Sequence, residues 1–114
     1  MLFRSVFLDR YPVLLMPNSW QRQFPIDADI GPPEQVQRLM AAQSPLLGTA
    51  MMGLPGLAVP TGLVAGLPVG VQLVAGRFRE DLCLRVGELI ERAACFNALD
   101  HLVAKQASSG TLNP

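Results

Sequence analysis

Gly53-Leu-Pro-Gly-Leu-Ala-Val-Pro-Thr-Gly62, followed after three residues by Gly66-Leu-Pro-Val-Gly-Val-Gln-Leu-Val-Ala75, is the stretch on which the fold turns. Leu57–Thr61 reads as a short strand. Pro60 has no N–H to give a neighbour, which places this strand at a sheet edge or at a bulge. The residues between Gly62 and Gly66 form a turn, and Leu67–Ala75 is a second strand. In that strand Val69, Val71 and Leu73 fall on one side and Gly70 and Val74 on the other, so both faces are apolar. Two-sided burial marks a central strand covered by helices. Gln72 is its one polar side chain. A buried amide needs hydrogen-bond partners, so Gln72 either ties neighbouring backbone together or faces a site.

The surrounding residues 39–76 carry no charge at all. That length raises the question of a transmembrane helix, and the contents answer it. Pro45, Pro55, Pro60 and Pro68 each remove a helical hydrogen bond, and the glycines from Gly53 to Gly76 add breaks. In lipid the freed backbone groups would find no partner. Short strands and tight turns inside a globular α/β protein account for the same residues, and no membrane association is expected.

Working outward, Pro33–Gln43 reads as a helix, with Pro33 in its first turn and Glu34 at the positive end of the dipole. Ser44-Pro45 reads as an N-cap and first helical position, opening a second helix to about Met52 that Gly53 closes. Downstream, Glu80–Ala94 is the clearest helix of the chain. Leu82, Val86, Leu89, Ile90 and Ala93 form its apolar stripe, and Asp81–Arg85 and Glu88–Arg92 are i,i+4 pairs. Upstream, Val13-Leu-Leu-Met16 is a short strand ended by Pro17-Asn18. Met1–Leu8 reads as the end of a helix with Leu2, Phe3, Val6 and Phe7 on one face, not as a signal peptide, because Arg4 and Asp9-Arg10 interrupt its apolar run. The order helix, strand, helices, strand, strand, helix predicts an α/β fold with a mixed or mostly parallel sheet whose strands are covered by helices.

Half the residues are hydrophobic and 16% are charged, against roughly a quarter charged in an average soluble domain. The length allows one domain. A formal net charge of zero leaves no electrostatic case for nucleic acid. Cys83 and Cys95 lie twelve residues apart on one expected helix, roughly 18 Å at the helical rise and beyond disulfide reach. Reduced thiols suit the cytoplasm. His101 is the one histidine and has no metal-ligand cluster around it.

These residues resemble the amidase signature family. Tyr11-Pro-Val-Leu-Leu-Met-Pro17 is similar to a strand near the end of those enzymes. Gly53–Gly62 is similar to their G-L-P-A-x-x-V-P-x-G segment, and Gly66–Val74 to their G-L-P-x-G-x-Q-L-V strand. Arg77-Phe-Arg-Glu-Asp81, followed by a helix carrying Glu88-Leu-Ile-Glu91, matches how they close. Four blocks in order, spanning roughly residues 8–95, carry the resemblance, which implies a C-terminal fragment of the amidase-signature fold.

The implied chemistry is hydrolysis of carboxylic amides through a Ser–Ser–Lys triad, with an oxyanion hole of backbone N–H groups. No metal or organic cofactor is implied. The family places the triad lysine and the glycine- and serine-rich loop well upstream of these blocks, so no catalytic residue can be assigned here. Lys105 with Ser108, Ser109 and Gly110 imitates the set, in the wrong order and spacing. What the resemblance leaves is support, with Asn18, Trp20 and Gln72 as candidates for the substrate-pocket wall. Trp20 also suits a plain role covering apolar surface.

The expected organisation is an amidase-like C-terminal part over residues 1–103 and a disordered tail over 104–114. Three functions fit. The first is a segment of a stand-alone small-amide hydrolase, inactive by itself. The second is a segment of the amidase-like subunit of a tRNA-dependent amidotransferase, although the short tail and the 77–81 block look closer to the stand-alone enzyme. The third is a non-catalytic binding or regulatory module built from an amidase tail. The expected partners are a small-molecule amide for the complete enzyme and either a second copy of the chain or a complementing N-terminal segment.

Overall fold

The computed structural model describes residues 2–108, without the side chains of residues 2–5 and 107. Its elements run α1 (Leu2–Arg10), β1 (Val13–Pro17), α2 (Pro33–Ala42), α3 (Ser44–Met52), β2 (Gly56–Val64), β3 (Leu67–Ala75), α4 (Glu80–Ala94) and α5 (Ala98–Ser108). The α/β class holds. The three strands form one sheet in the order β1-β3-β2, so β3 is central, as its two apolar faces require.

Every pairing in this sheet is antiparallel, which differs from the mixed or mostly parallel sheet expected. The reason is where the hairpin falls. β1 and β2 run in the same direction and are joined through helices, as a parallel crossover would be. β3, however, folds back from β2 and inserts between them. A two-residue connection can only join antiparallel neighbours, and here it is Ala65-Gly66, with φ of 52° and 76°. Positive φ at both central residues is the type I′ geometry that matches strand twist.

Pro60 behaves as its missing N–H demands. β2 is an edge strand, and its register against β3 shifts between Pro60 and Gly62. Opposite this bulge lies Gly70, where an added Cβ would sit 2.5 Å from the carbonyl oxygen of Val59. Backbone meets backbone there, and only glycine fits.

The core lies between the sheet and α4, which packs mainly over β2 and β3. Val59, Leu73, Ala75 and Cys83 are its buried centre, with Val13, Leu57, Val71, Leu82, Val86 and Ile90 around it. The buried stripe of α4 is rotated from the expected one. Cys83 and Gly87 face the sheet, while Leu89 and Ala93 are exposed. Gly87 explains the rotation, because a Cβ there would come within 2.7 Å of the Leu57 side chain. The absent side chain lets helix and strand approach closely. Of the expected ion pairs, Glu88–Arg92 forms, whereas Asp81 pairs with Arg79 at 3.0 Å.

Both helices before β2 match expectation closely, and Gly53 closes α3 in the left-handed conformation. Gln43, not Ser44, is the N-cap residue of α3, and no side chain caps it. On α1, Leu8 is buried while Val6 and Phe7 are exposed, so the covered side differs from the expected face. α5 runs through the region where a disordered tail was expected to begin at Ala104, as far as Ser108. Residues 109–114 of that expected tail lie outside the described residues.

The chain is extended for its length. Its radius of gyration is 17.2 Å, against about 13 Å for a compact domain of about a hundred residues. Ile26, Ile30 and Met51 stand exposed with many other large apolar side chains.

Candidate functional site

On the sheet face opposite α4, the central residue is Gln72. It is 4% exposed, and its Nε2 donates to Thr49 Oγ1 at 3.2 Å. Thr49, also buried, donates its own hydroxyl hydrogen to the Pro45 carbonyl oxygen at 2.8 Å. This wiring fixes the amide's orientation. A threonine hydroxyl has one hydrogen, and Pro45 takes it, so Thr49 can only accept from Gln72. The Gln72 Oε1 is thereby turned away from α3 and is buried with no partner among the described residues. A buried acceptor left unmade costs about 1–3 kcal/mol, which marks the position as unusual.

Asn18 and Trp20 lie just beyond β1. Asn18 is half-buried, and its Oδ1 is, among the described residues, the second buried acceptor without a partner. It follows by two residues Met16, the register partner of Gln72. Trp20 is mostly exposed but tethered. Its backbone N–H donates to the Ala42 carbonyl at 2.9 Å, and its indole Nε1 donates to Ser44 Oγ at 3.0 Å. The Ser19 hydroxyl donates to the same Ala42 carbonyl at 3.1 Å. The loop after β1 is therefore pinned to the α2–α3 junction. Ser44, expected as a helix cap, instead receives the indole N–H.

The three sequence-derived candidates thus converge on one helix. Gln72 reaches α3 through Thr49, Trp20 through Ser44, and Asn18 belongs to the loop that Trp20 anchors. Sequence reasoning missed Thr49, the partner of the Gln72 side chain among the described residues. The usable signal was its type, a hydroxyl among the apolar residues of α3.

A separate open depression of about 320 Å³ lies between the C-terminus of α3 and the start of α4, lined by Gly53, Leu54, Pro55, Arg77, Phe78 and Glu80. Phe78 is 87% exposed and holds a left-handed backbone with φ of 61°, a conformation a bulky residue rarely adopts. Beside it, Arg79 hydrogen-bonds Asp81 at 3.0 and 3.2 Å. That contact holds the Asp81 carboxyl below its ordinary range and raises the guanidinium. Cys83 is buried under the sheet, and burial, with a smaller push from Glu80, raises its thiol.

Lys105 and Ser108 lie on α5. The Ser108 hydroxyl donates to the Lys105 carbonyl oxygen at 2.9 Å, an ordinary bond within one helical turn, and Ser109 and Gly110 lie outside the described residues. Among the described residues no three His, Cys, Asp or Glu side chains come together as a metal site would require. No helix among them is long and apolar enough to cross a membrane.

The family model described as Amidase matches residues 2–84. An indoleacetamide hydrolase of Bradyrhizobium japonicum is 36% identical over 91 residues, covering 79% of this chain and 20% of that protein. A glutamyl-tRNA(Gln) amidotransferase subunit of Desulforudis audaxviator is 35% identical over 91 residues, covering 80% of this chain and 18% of that protein. The chain therefore spans about a fifth of the length of the curated relatives it matches, in their C-terminal part. No solved structure matches it significantly.

Proposed function

This chain belongs to the amidase family, and from that premise we propose that it is the C-terminal segment of a hydrolase of small carboxylic amides, inactive alone. In this reading the Ser–Ser–Lys triad comes from the rest of an amidase domain. The observation that carries the proposal is the family match over residues 2–84 on a sheet whose helix packing, among the described residues, comes mainly from α4. A sheet of three strands with so much apolar surface left exposed suits a part that finishes its core against other chain.

The role of the segment is then to build and brace part of the substrate pocket. Asn18 and Gln72 support this with acceptor oxygens that nothing among the described residues satisfies. Trp20 presents its indole on a loop held from behind by Ala42 and Ser44. The two free thiols fit a reducing, cytoplasmic setting. The substrate is an uncharged amide of the kind named for the hydrolase relatives.

The test is reconstitution. The chain would be mixed with the N-terminal remainder of a related indoleacetamide hydrolase, and ammonia release from indoleacetamide measured. Turnover should be absent with either part and present with both. Amide hydrolysis by the isolated chain would sink the proposal. In the reconstituted enzyme, Asn18→Ala and Trp20→Ala should raise KM several-fold, and unchanged kinetics would remove those residues from the pocket wall. An amidotransferase segment, as in the amidotransferase relatives, would instead depend on a further protein component for activity.

A further inference from the structure

Trp20 stands on the surface without being free to move. It is the only tryptophan of the chain and is 66% exposed, so its ring covers little of the described fold. A surface side chain of that kind ordinarily changes rotamer within nanoseconds. This one is held at two points. Its backbone N–H donates to the Ala42 carbonyl oxygen at 2.9 Å, and its indole Nε1 donates to Ser44 Oγ at 3.0 Å. Ala42 ends α2 and Ser44 opens α3, so both anchors come from one helix junction.

The seat of the ring is itself braced. The Ser19 hydroxyl donates to the same Ala42 carbonyl oxygen at 3.1 Å, and the Gln21 N–H donates to Ser19 Oγ at 3.2 Å. The backbone on either side of Trp20 is thereby fixed, and the bond to Ser44 fixes the two torsions of the side chain. An indole has one N–H and no acceptor. With that hydrogen given to Ser44, the ring has none left for a ligand and offers only its faces and its remaining edge. Such a ring recognises a flat aromatic group, which stacks on it, rather than a hydrogen-bonding one.

We infer that Ser44 is a positioning residue of the substrate pocket, holding the Trp20 indole by its N–H so that the ring stacks on the aromatic group of an amide that carries one. This role deepens the preceding reading of the chain as the part of an amide hydrolase that supplies pocket wall, and it rests on that reading. Ser44 itself touches no substrate. It acts through Trp20, and loss of its hydroxyl releases the ring without removing it.

Fluorescence anisotropy of the full chain tests the tether, with Trp20 as its own probe. Ser44→Ala should lower the anisotropy, and Ser44→Thr, which keeps the hydroxyl, should retain it, with an unchanged urea midpoint showing that each variant still folds. Equal anisotropy in the wild-type and Ser44→Ala chains would overturn the tether. The reconstituted enzyme then tests the substrate, with phenylacetamide set against propionamide. Ser44→Ala should raise the KM for phenylacetamide about three-fold more than that for propionamide, through KM rather than kcat, and Ser44→Thr should reverse the change. In a Trp20→Phe background, which keeps a ring but has no N–H, Ser44→Ala should change nothing further. Additive effects, or no difference between the two amides, would overturn the positioning role. No turnover with the wild-type chain would overturn the amidase reading and the substrate class together, and the anisotropy would still decide whether Ser44 holds the ring.

Discussion

The two faces of β3 differ in the kind of interaction that closes them. Beneath α4, Leu73 and Ala75 are wholly buried and meet Val59 and Cys83. On the opposite face, Gln72 and Val74 are as well covered, yet the contact to α3 runs through a hydrogen bond from Gln72 to Thr49. An apolar face is non-directional and tolerates any close-packed partner. A polar face demands a specific partner, and here one acceptor is still without it. The first face closes on α4 by apolar packing, and the second closes on α3 by a directed hydrogen bond.

The largest effect should come from the apolar face. Leu73→Ala removes the most buried large side chain and should destabilise by about 2–5 kcal/mol, read as a fall in the urea midpoint. A loss below about 1 kcal/mol would mean that α4 is not the main closure. On the polar face, Thr49→Val strips Gln72 Nε2 of its acceptor and should cost about 1–3 kcal/mol. Gln72→Leu removes the donor and the orphaned acceptor together, so it should cost less than Thr49→Val. The reverse order would show that the Gln72 carbonyl oxygen does have a partner.

Which residues lie on which face depends on register, since a one-residue slip exchanges them. The Ala65-Gly66 turn sets that register. Ala65 holds φ of 52°, so Ala65→Asn, which tolerates this region, should stabilise by about 0.5–1 kcal/mol, visible as a raised Tm. A lowered Tm would argue that the turn is not of this type.

The smallest effect concerns Cys83. Burial raises its thiol, so the folded chain holds that proton more tightly than the unfolded chain. The stability it contributes is fully present below the unfolded thiol's range and is lost as pH rises through the folded value. Cys95 is exposed and should react with a maleimide rapidly at neutral pH, while Cys83 should react only on unfolding. Equal rates would show that α4 opens readily. Asp81 has the opposite sign, because Arg79 lowers its carboxyl. Its small contribution is present above the unfolded carboxyl's range and fades as pH falls.

Much of this was legible locally. Pro60 announced an edge strand, the two-sided apolar run of Leu67–Ala75 a central one, and the α4 boundaries followed from its charges and spacing. The rotated stripe of α4 was not, because Leu89 and Ala93 look as apolar as Leu82 and Val86. Only the close approach of Leu57 to Gly87 selects the buried side. The site was half legible. Gln72 stood out as polar in an apolar strand, but its partner lies 23 residues away, on a helix whose one threonine does not say which strand it meets.

The sequence by itself determined the α/β class, the positions of β2, β3 and α4, the family resemblance in four ordered blocks, and the singling out of Gln72. These rest on periodicity, proline and glycine, which act within a few residues. The tertiary structure alone decided the insertion of β3 between β1 and β2, and with it an antiparallel sheet. It also decided the α3 wiring of Gln72 and Trp20. Each of those depends on which distant segments meet, and no local preference encodes a choice among distant partners.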